Sequence, residues 1–310
     1  MAISPYPNWE PITLAHGNEL LPAFQKCDTE VSEFTFANIY LFRETYDYQV
    51  ASLGDGRYIL KGERDGKKFF YLPWGLTDWG LLSELMAEFD YWKNLAGPLV
   101  EEYRDILEAR DLALVPDRIN SDYLYSREEM AELAGRKFHK KRNHVNYFKN
   151  NYPLPETKML DSETAADAHK ILDLWYEQKQ EDGDMKASRD GIDYREELGL
   201  SGMVYYHGDQ PIAYTMGEPL GNKMTYIIHF EKADHGIKGL YQYVNQHWAG
   251  MMSPTCTKIN REQDLGEPGL RQAKMTYRPI GFVEKYRVKP LEKLTEEDKE
   301  AMGNSHIFSL

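Results

Sequence analysis

Residues 259–279 read INREQDLGEPGLRQAKMTYRP. The stretch leaves the β-like run CTKIN and packs both signs of charge into one block. Asn260, Arg261, Glu262 and Asp264 come directly off the expected strand end, and EPGLRQAKMTY then reads as a short helix. Arg271 and Lys274 stand three apart, so one helical face can present both. Two readings are open. The charges could hold a ligand at the end of a sheet, or an Arg261–Asp264 or Glu262–Arg271 bridge could simply brace the loop.

The 310-residue chain has room for two ordinary domains or one large one. Hydrophobic residues make up 42% and charged residues 28%, a globular balance without the bias of disorder. Twenty-two tyrosines suit a β-rich α/β protein. No apolar run approaches the roughly 18 residues needed to cross a bilayer. MAISPYPNWEP has no apolar leader segment, and Cys27 and Cys256 show neither C-x-x-C nor metal spacing. The expectation is a cytoplasmic protein with reduced thiols. His139 and His144 are five apart, off the same-face helical positions, so no metal site is expected.

A net charge of −13 argues against a surface coated for nucleic acid. The distribution is uneven, however. Residues 133–155 contain no acidic side chain but hold Arg136, Lys137, Lys140, Lys141, Arg142 and Lys149. Such a run is either a solvated face or a place where phosphates are accepted.

Strand-like runs at Tyr58–Lys61 and Lys68–Leu72 are flanked by the turn signals Asp55-Gly56 and Asp65-Gly66. Leu82, Leu85, Met86 and Phe89 carry helical spacing, and EEYRDILEARDLA repeats it before the strand-like LALVP. Ser126 with Glu129 reads as a capping box, and a basic helix follows Gly135. Lys158–Asp161 reads as a strand, and Ala165, Ala168, Ile171, Leu172 and Trp175 share one face of the helix after it. Next come a hairpin turning at residues 207–210, the strand KMTYIIHFEKA, the helix HGIKGLYQYVNQHWAGM and the strand CTKIN. After the EPGLRQAKMTY helix, GFVEKYRV is a last strand and LTEEDKEAMGNSH a solvated helical tail. No sequence repeat is visible, although the order allows two diverged copies of one architecture.

That order resembles the acyl-CoA N-acyltransferase (GNAT) fold. SEFTFANIYLFR, YSREEMAELAGRKFHKKRNHVNYF, GEPL, HFEKAD, GIKGLYQYVNQ and the opening block resemble the C-terminal domain family of lysyl-phosphatidylglycerol synthases, from about Phe34 to Tyr286. The resemblance implies an α/β (α+β) chain with two tandem GNAT-like domains, each a mixed, mostly antiparallel sheet flanked by helices. It extends in fold to the Fem transferases. The expected boundaries are an N-terminal domain over 1–134, a basic linker helix over 135–157, a C-terminal domain over 158–290 and a tail over 291–310.

Family members move an aminoacyl group from aminoacyl-tRNA to a lipid hydroxyl, so the resemblance implies aminoacyl-tRNA as donor and a lipid or small-molecule acceptor. The departures are specific. The membrane-bound synthases carry a transmembrane portion that nothing here matches. Acetyl-CoA-binding members use a Gln/Arg-x-x-Gly-x-Gly/Ala turn to cradle pyrophosphate. Residues 233–239 read ADHGIKG, with Ala233 in the leading position and Lys238 in the second small one. No cofactor is therefore expected, and acyl-CoA is the less favoured donor.

Acyl transfer from an ester must hold an anionic donor, offset a developing oxyanion and take a proton from the acceptor. Arg261, Arg271 and Lys274 suit the first two tasks. Glu231, Glu262 or Asp264 could take the proton or recognise an amino group, and Tyr277 could donate a hydrogen bond. Glu218 and Glu231 end neighbouring strands, and His229 lies two residues before Glu231. The expected catalytic set is Glu231, Glu262 and Lys274. Substrate binding falls to Glu218, His229, Asn260, Arg261, Asp264, Arg271 and Tyr277. Arg136, Lys137, Lys140, Lys141, Arg142 and Lys238 are the expected phosphate or tRNA contacts. Two rivals remain: an acyl-CoA-dependent N-acyltransferase, and a catalytically degenerate module that binds RNA or another phosphate-bearing ligand.

Overall fold

Asp-Gly pairs set the first hairpins. Asp55 and Gly56, like Asp65 and Gly66, all adopt positive φ, the backbone of a type I′ turn. In the computed structural model, which describes residues 2–179, 183–304 and 306–310, these turns join the first long strands. The strands in chain order are β1 (Glu10–Pro11), β2 (Gln49–Gly54), β3 (Arg57–Arg64), β4 (Lys67–Tyr71), β5 (Tyr91–Ala96) and β6 (Leu112–Pro116). Next are β7 (Asp122–Ser126), β8 (Glu156–Met159), β9 (Ser201–His207), β10 (Gln210–Pro219), β11 (Thr225–Ala233) and β12 (Lys258–Asn260). Last come β13 (Gly281–Val283) and β14 (Lys285–Pro290). They form two seven-stranded sheets, ordered β1-β2-β3-β4-β5-β14-β6 and β13-β7-β12-β11-β10-β9-β8.

The chain divides into two compact units. One comprises residues 1–123, 263–268 and 282–310, and the other residues 124–262 and 269–281. In the first unit, α1 (Trp79–Glu88) is capped by Asp78, whose carboxylate accepts from the N–H groups of Gly80 and Leu81. It runs from β4 to β5, which pair in parallel at only two positions, Phe69 with Tyr91 and Phe70 with Trp92. Phe70, Leu82, Leu85, Phe89, Trp92 and Val288 share its core.

The second unit repeats the device. Antiparallel β10 and β11 are followed by α5 (Leu240–Met251), and β12 then returns parallel to β11. Its earlier helices are α2 (Arg127–Glu132), α3 (His139–Asn151) and α4 (Ala165–Lys179). Ser126 caps α2 from one side only, accepting from the Glu129 N–H at 3.3 Å. Basic α3 buries Val145 and Phe148, and Phe148 packs on Tyr243 of α5 with ring centroids 4.8 Å apart. Gly239 at the start of α5 has φ +89°, and a Cβ there would lie 2.3 Å from the His144 carbonyl oxygen, so only glycine fits.

Two expectations change. Strand β8 lies at Glu156–Met159, two residues earlier than read, because its register follows β9 from Glu156 opposite Tyr206. The tail does form a helix, α7 (Glu296–Gly303), after α6 (Pro268–Met275), but it is not simply solvated. Asp298 is buried and pairs with Lys289 and with Arg287.

Candidate active site

Strands β11 and β12 pair only from Thr225–Lys258 to Ile227–Asn260, so beyond these positions each loses its neighbour on that side. Parallel strands that part in this way open a crevice at their carboxyl ends. Just there β11 carries a bulge: Met216 opposes Phe230 and Gly217 opposes Ile228, leaving His229 as the extra residue. Gly217 is required at this point, since a Cβ would sit 1.9 Å from the Ile227 carbonyl oxygen.

The bulge hands His229 to two carboxylates. Its Nδ1 lies 2.8 Å from Glu262 Oε1 and its Nε2 lies 3.0 Å from Glu218 Oε1, with the ring fully enclosed. Burial alone would lower its pKa, but the two carboxylate contacts override it and lift the imidazole to about 10. At neutral pH it is an imidazolium with both N–H groups spoken for. Glu262 holds a left-handed backbone at φ 57°, with its N–H bonded to Asn260 Oδ1 at 2.7 Å.

Two residues along β11, Glu231 is held differently. Its Oε1 accepts from Asn245 Nδ2 and lies 3.5 Å from Arg261 Nη2, while its buried Oε2 has no hydrogen-bond partner among the described residues. Burial raises its pKa above the usual carboxylate value, with Arg261 opposing the rise. The Arg261 guanidinium stands 5.3 Å from the centroid of the Tyr277 ring, and Lys141 from α3 brings its ammonium to 3.7 Å from the same centroid. Burial, then the nearby Arg261 charge, lower Lys141 to about 8. Lys274 works inside the wall. Its Nζ donates to the carbonyl oxygens of Arg261 at 2.6 Å and Glu262 at 3.1 Å. Tyr125 in turn donates to the Lys274 carbonyl at 2.9 Å.

The structure thus gathers Glu218, His229, Asn260 and Glu262 into one set, and Glu231, Arg261 and Tyr277 into an adjoining one, with Lys274 clamping the chain between them. Arg271 stays half-buried on α6. Asp264 goes elsewhere. In the first unit its Oδ2 accepts from Tyr123 at 2.6 Å and from Arg118 at 3.2 Å, and its Oδ1 from the Gly266 N–H. The basic run separates as well. Arg136 and Lys140 are exposed, Lys137 pairs with Glu129 at 2.5 Å, and Arg142 donates to the Leu133 and Gly135 carbonyls that end α2. Lys238 is exposed, with its ammonium 4.4 Å from the Tyr147 ring centroid.

Sequence reasoning missed Asn245, whose helical offset from Tyr241 is the only signal: its amide also donates to the Tyr241 carbonyl. It also placed Lys141 among general phosphate contacts rather than against Tyr277. At the 233–239 turn the N–H groups from Ala233 to Ile237 already have partners. His235 donates to Gln178 Oε1, Gly236 to Asp234 Oδ1 and Ile237 to the Asp234 carbonyl. The Asp234 carboxylate thus takes up one of the backbone N–H groups of this turn.

Among the described residues no helix is long and apolar enough to cross a membrane, and no cluster of three or more His, Cys, Asp or Glu could hold a metal ion. An uncharacterised protein of Mycoplasmoides gallisepticum is 23% identical over 184 residues, which are 55% of this chain and 56% of that protein's length. A conserved Bacteroides thetaiotaomicron protein of unknown function has the same fold at TM-score 0.81 and 29% identity, over 91% of this chain and 99% of its own. The L-PGS structure from Bacillus licheniformis aligns at TM-score 0.63 and 12% identity, over 97% of this chain and 98% of that one. The family described as phosphatidylglycerol lysyltransferase, C-terminal, matches residues 24–289. That match spans most of the chain, so the chain belongs to this family, and its two mixed sheets flanked by helices have the tandem GNAT-like fold.

Proposed function

We propose that this chain is an aminoacyltransferase that takes its aminoacyl group from aminoacyl-tRNA and passes it directly to a hydroxyl or amine acceptor. The observation that carries the reading is Glu231: a buried carboxylate with one oxygen unmatched among the described residues, beside Arg261, which shares the Tyr277 ring with Lys141. A buried acceptor without a partner costs about 1–3 kcal/mol. An amino group or an acceptor O–H entering there would recover that cost. The raised pKa of Glu231 also brings it nearer the range of a working general base.

In the proposed step, the acceptor oxygen or nitrogen attacks the ester carbonyl carbon of the donor. Its proton passes to Glu231, the new acyl bond forms, and the ester bond to the ribose oxygen breaks. That oxygen leaves with a proton returned from Glu231. Arg261 and Lys141 offset the charge on the tetrahedral oxygen and on the donor phosphate. Glu262 and Lys274 act as positioning residues, since the first is engaged with His229 and the second with two backbone carbonyls. The exposed charges of α3, Lys140 foremost, meet the tRNA backbone without sequence preference.

The carboxylate of Asp234 and the filled N–H groups around it speak against acyl-CoA as donor. The test supplies a pool of tRNA charged with labelled amino acids and follows label into lipid, peptide or water. Turnover by the wild type that is lost in Glu231→Gln and Lys274→Ala supports the reading. Background deacylation in all three contradicts it.

A further inference from the structure

The first unit contains a cavity of about 630 Å³ that the transfer reading does not use. That size lies within the usual range of small-molecule sites, about 300–1,000 Å³. Its walls carry seven Lys or Arg side chains against five carboxylates, in a chain whose overall charge is −13. Most of these cations are engaged. Arg287 lies 3.3 Å from Asp298 and 3.6 Å from Asp117, although its buried Nε makes no hydrogen bond among the described residues; Lys289 pairs with Asp298, and Arg118 is tied to Asp264. Lys293 donates to the Met86 and Phe89 carbonyls, and Arg64 to the Tyr46 hydroxyl.

Lys93 is the exception. It is 95% buried, yet it lines the cavity and its ammonium makes no hydrogen bond or ion pair with the described residues. Its neighbours are aromatic: the ring centroids of Phe69, Tyr46 and Tyr71 lie 4.7, 5.0 and 5.9 Å away. A bulge aims it there. Strand β14 steps from Tyr286 to Val288 while β5 steps from Leu95 to Trp92, so Lys93 and Asn94 together oppose Arg287, with Asn94 at φ 61°. The acids nearest in charge, Glu33 and Asp117, offset part of the burial, but Glu33 is already bound by Lys285, which also holds Asp122 at 2.7 Å.

We infer that this cavity binds a small phosphomonoester, with its phosphate on Lys93 and Arg287. The sign of the charge matches. The wall's cations outnumber its carboxylates even with Asp264 set against Arg118, and a phosphomonoester carries about −1.5 to −2 at neutral pH. A neutral ligand could accept a hydrogen bond from Lys93 but would bring no charge to offset its ammonium. Tyr91, Ile119, Leu265 and Ile307 give the remainder of the ester an apolar wall. The inference stands apart from the transfer reading, since every residue it uses lies in the first unit and none in the Glu231 site.

Calorimetric titration of the whole protein with sn-glycerol 3-phosphate at fixed ionic strength tests it. Vesicles containing phosphatidic acid serve as a second arm and separate a free ester from a lipid headgroup. Saturable binding of either is expected, weakened at least tenfold in Lys93→Met. Lys67→Glu, which reverses an exposed charge on the cavity wall, should weaken it about threefold without a risk to folding. Binding that is equal in wild type and both variants overturns the inference. So does the absence of saturable binding, or binding lost only in Lys141→Met, which would place the phosphate in the other unit.

Discussion

Two β-bulges in this chain present two buried cations, and they are treated in opposite ways. In the second unit the bulge residue His229 is clamped between Glu218 and Glu262, and every polar atom of its ring has a partner. In the first unit the bulge residue Lys93 is just as deeply buried but faces three aromatic rings and a cavity. A satisfied charge braces the fold. An unsatisfied one waits for a ligand. The same contrast runs within the second unit, where His229 is complete and Glu231, two residues away, keeps an unmatched oxygen.

The contrast is sharpest where a satisfied group is removed. His229→Leu leaves two carboxylates buried without their cation and should cost about 3–5 kcal/mol, read from urea denaturation. The sign of its pH dependence follows from the raised pKa. The stability from His229 is fully present below its ordinary value of 6.5 and fades as pH rises through about 10. Wild type should therefore weaken from pH 7 to pH 10 while the variant changes less over that span. Equal stability of the two proteins at pH 6 would remove the clamp from the account.

Glu231→Gln is the opposite case. It should leave thermal stability nearly unchanged and lower kcat/KM for aminoacyl transfer about a hundredfold, or ~2.7 kcal/mol. A large loss of Tm instead would make Glu231 a bracing group like His229. Smaller still is Lys141. Its pKa near 8 predicts that kcat/KM declines above that pH as the ammonium deprotonates. Lys141→Arg should shift the decline upward, and Lys141→Met should cost about tenfold at pH 7. A pH profile identical in all three proteins would exclude Lys141 from donor binding. The smallest effect is expected from Arg142→Ala, about 1 kcal/mol of stability with no change in turnover, because its guanidinium serves the end of α2.

The architecture was legible in INREQDLGEPGLRQAKMTYRP and in the strand and helix order around it, because turn chemistry and apolar spacing are local signals. Asp55-Gly56 and Asp65-Gly66 could be read directly, as could the hairpin at residues 207–210. Most of the site residues were legible as types but not as partners. Glu262 and Asp264 are two apart in sequence, yet one faces His229 and the other lies with Arg118 and Tyr123. Only tertiary structure separates them. The cationic cavity left one unread trace in KYRVKP, where Arg287 and Lys289, two apart along β14, both line it. Period-2 charge on a strand marks one face, but the bulge that adds Lys93 to that face has no sequence signature beyond Asn94.

The choice of donor is the central claim, and a single-turnover competition tests it most directly. Wild-type protein in excess receives labelled aminoacyl-tRNA and acetyl-CoA together, with Glu231→Gln run alongside. The account predicts discharge of the tRNA, dependent on Glu231, while the CoA ester persists. Release of free CoA with the aminoacyl-tRNA left intact would contradict it.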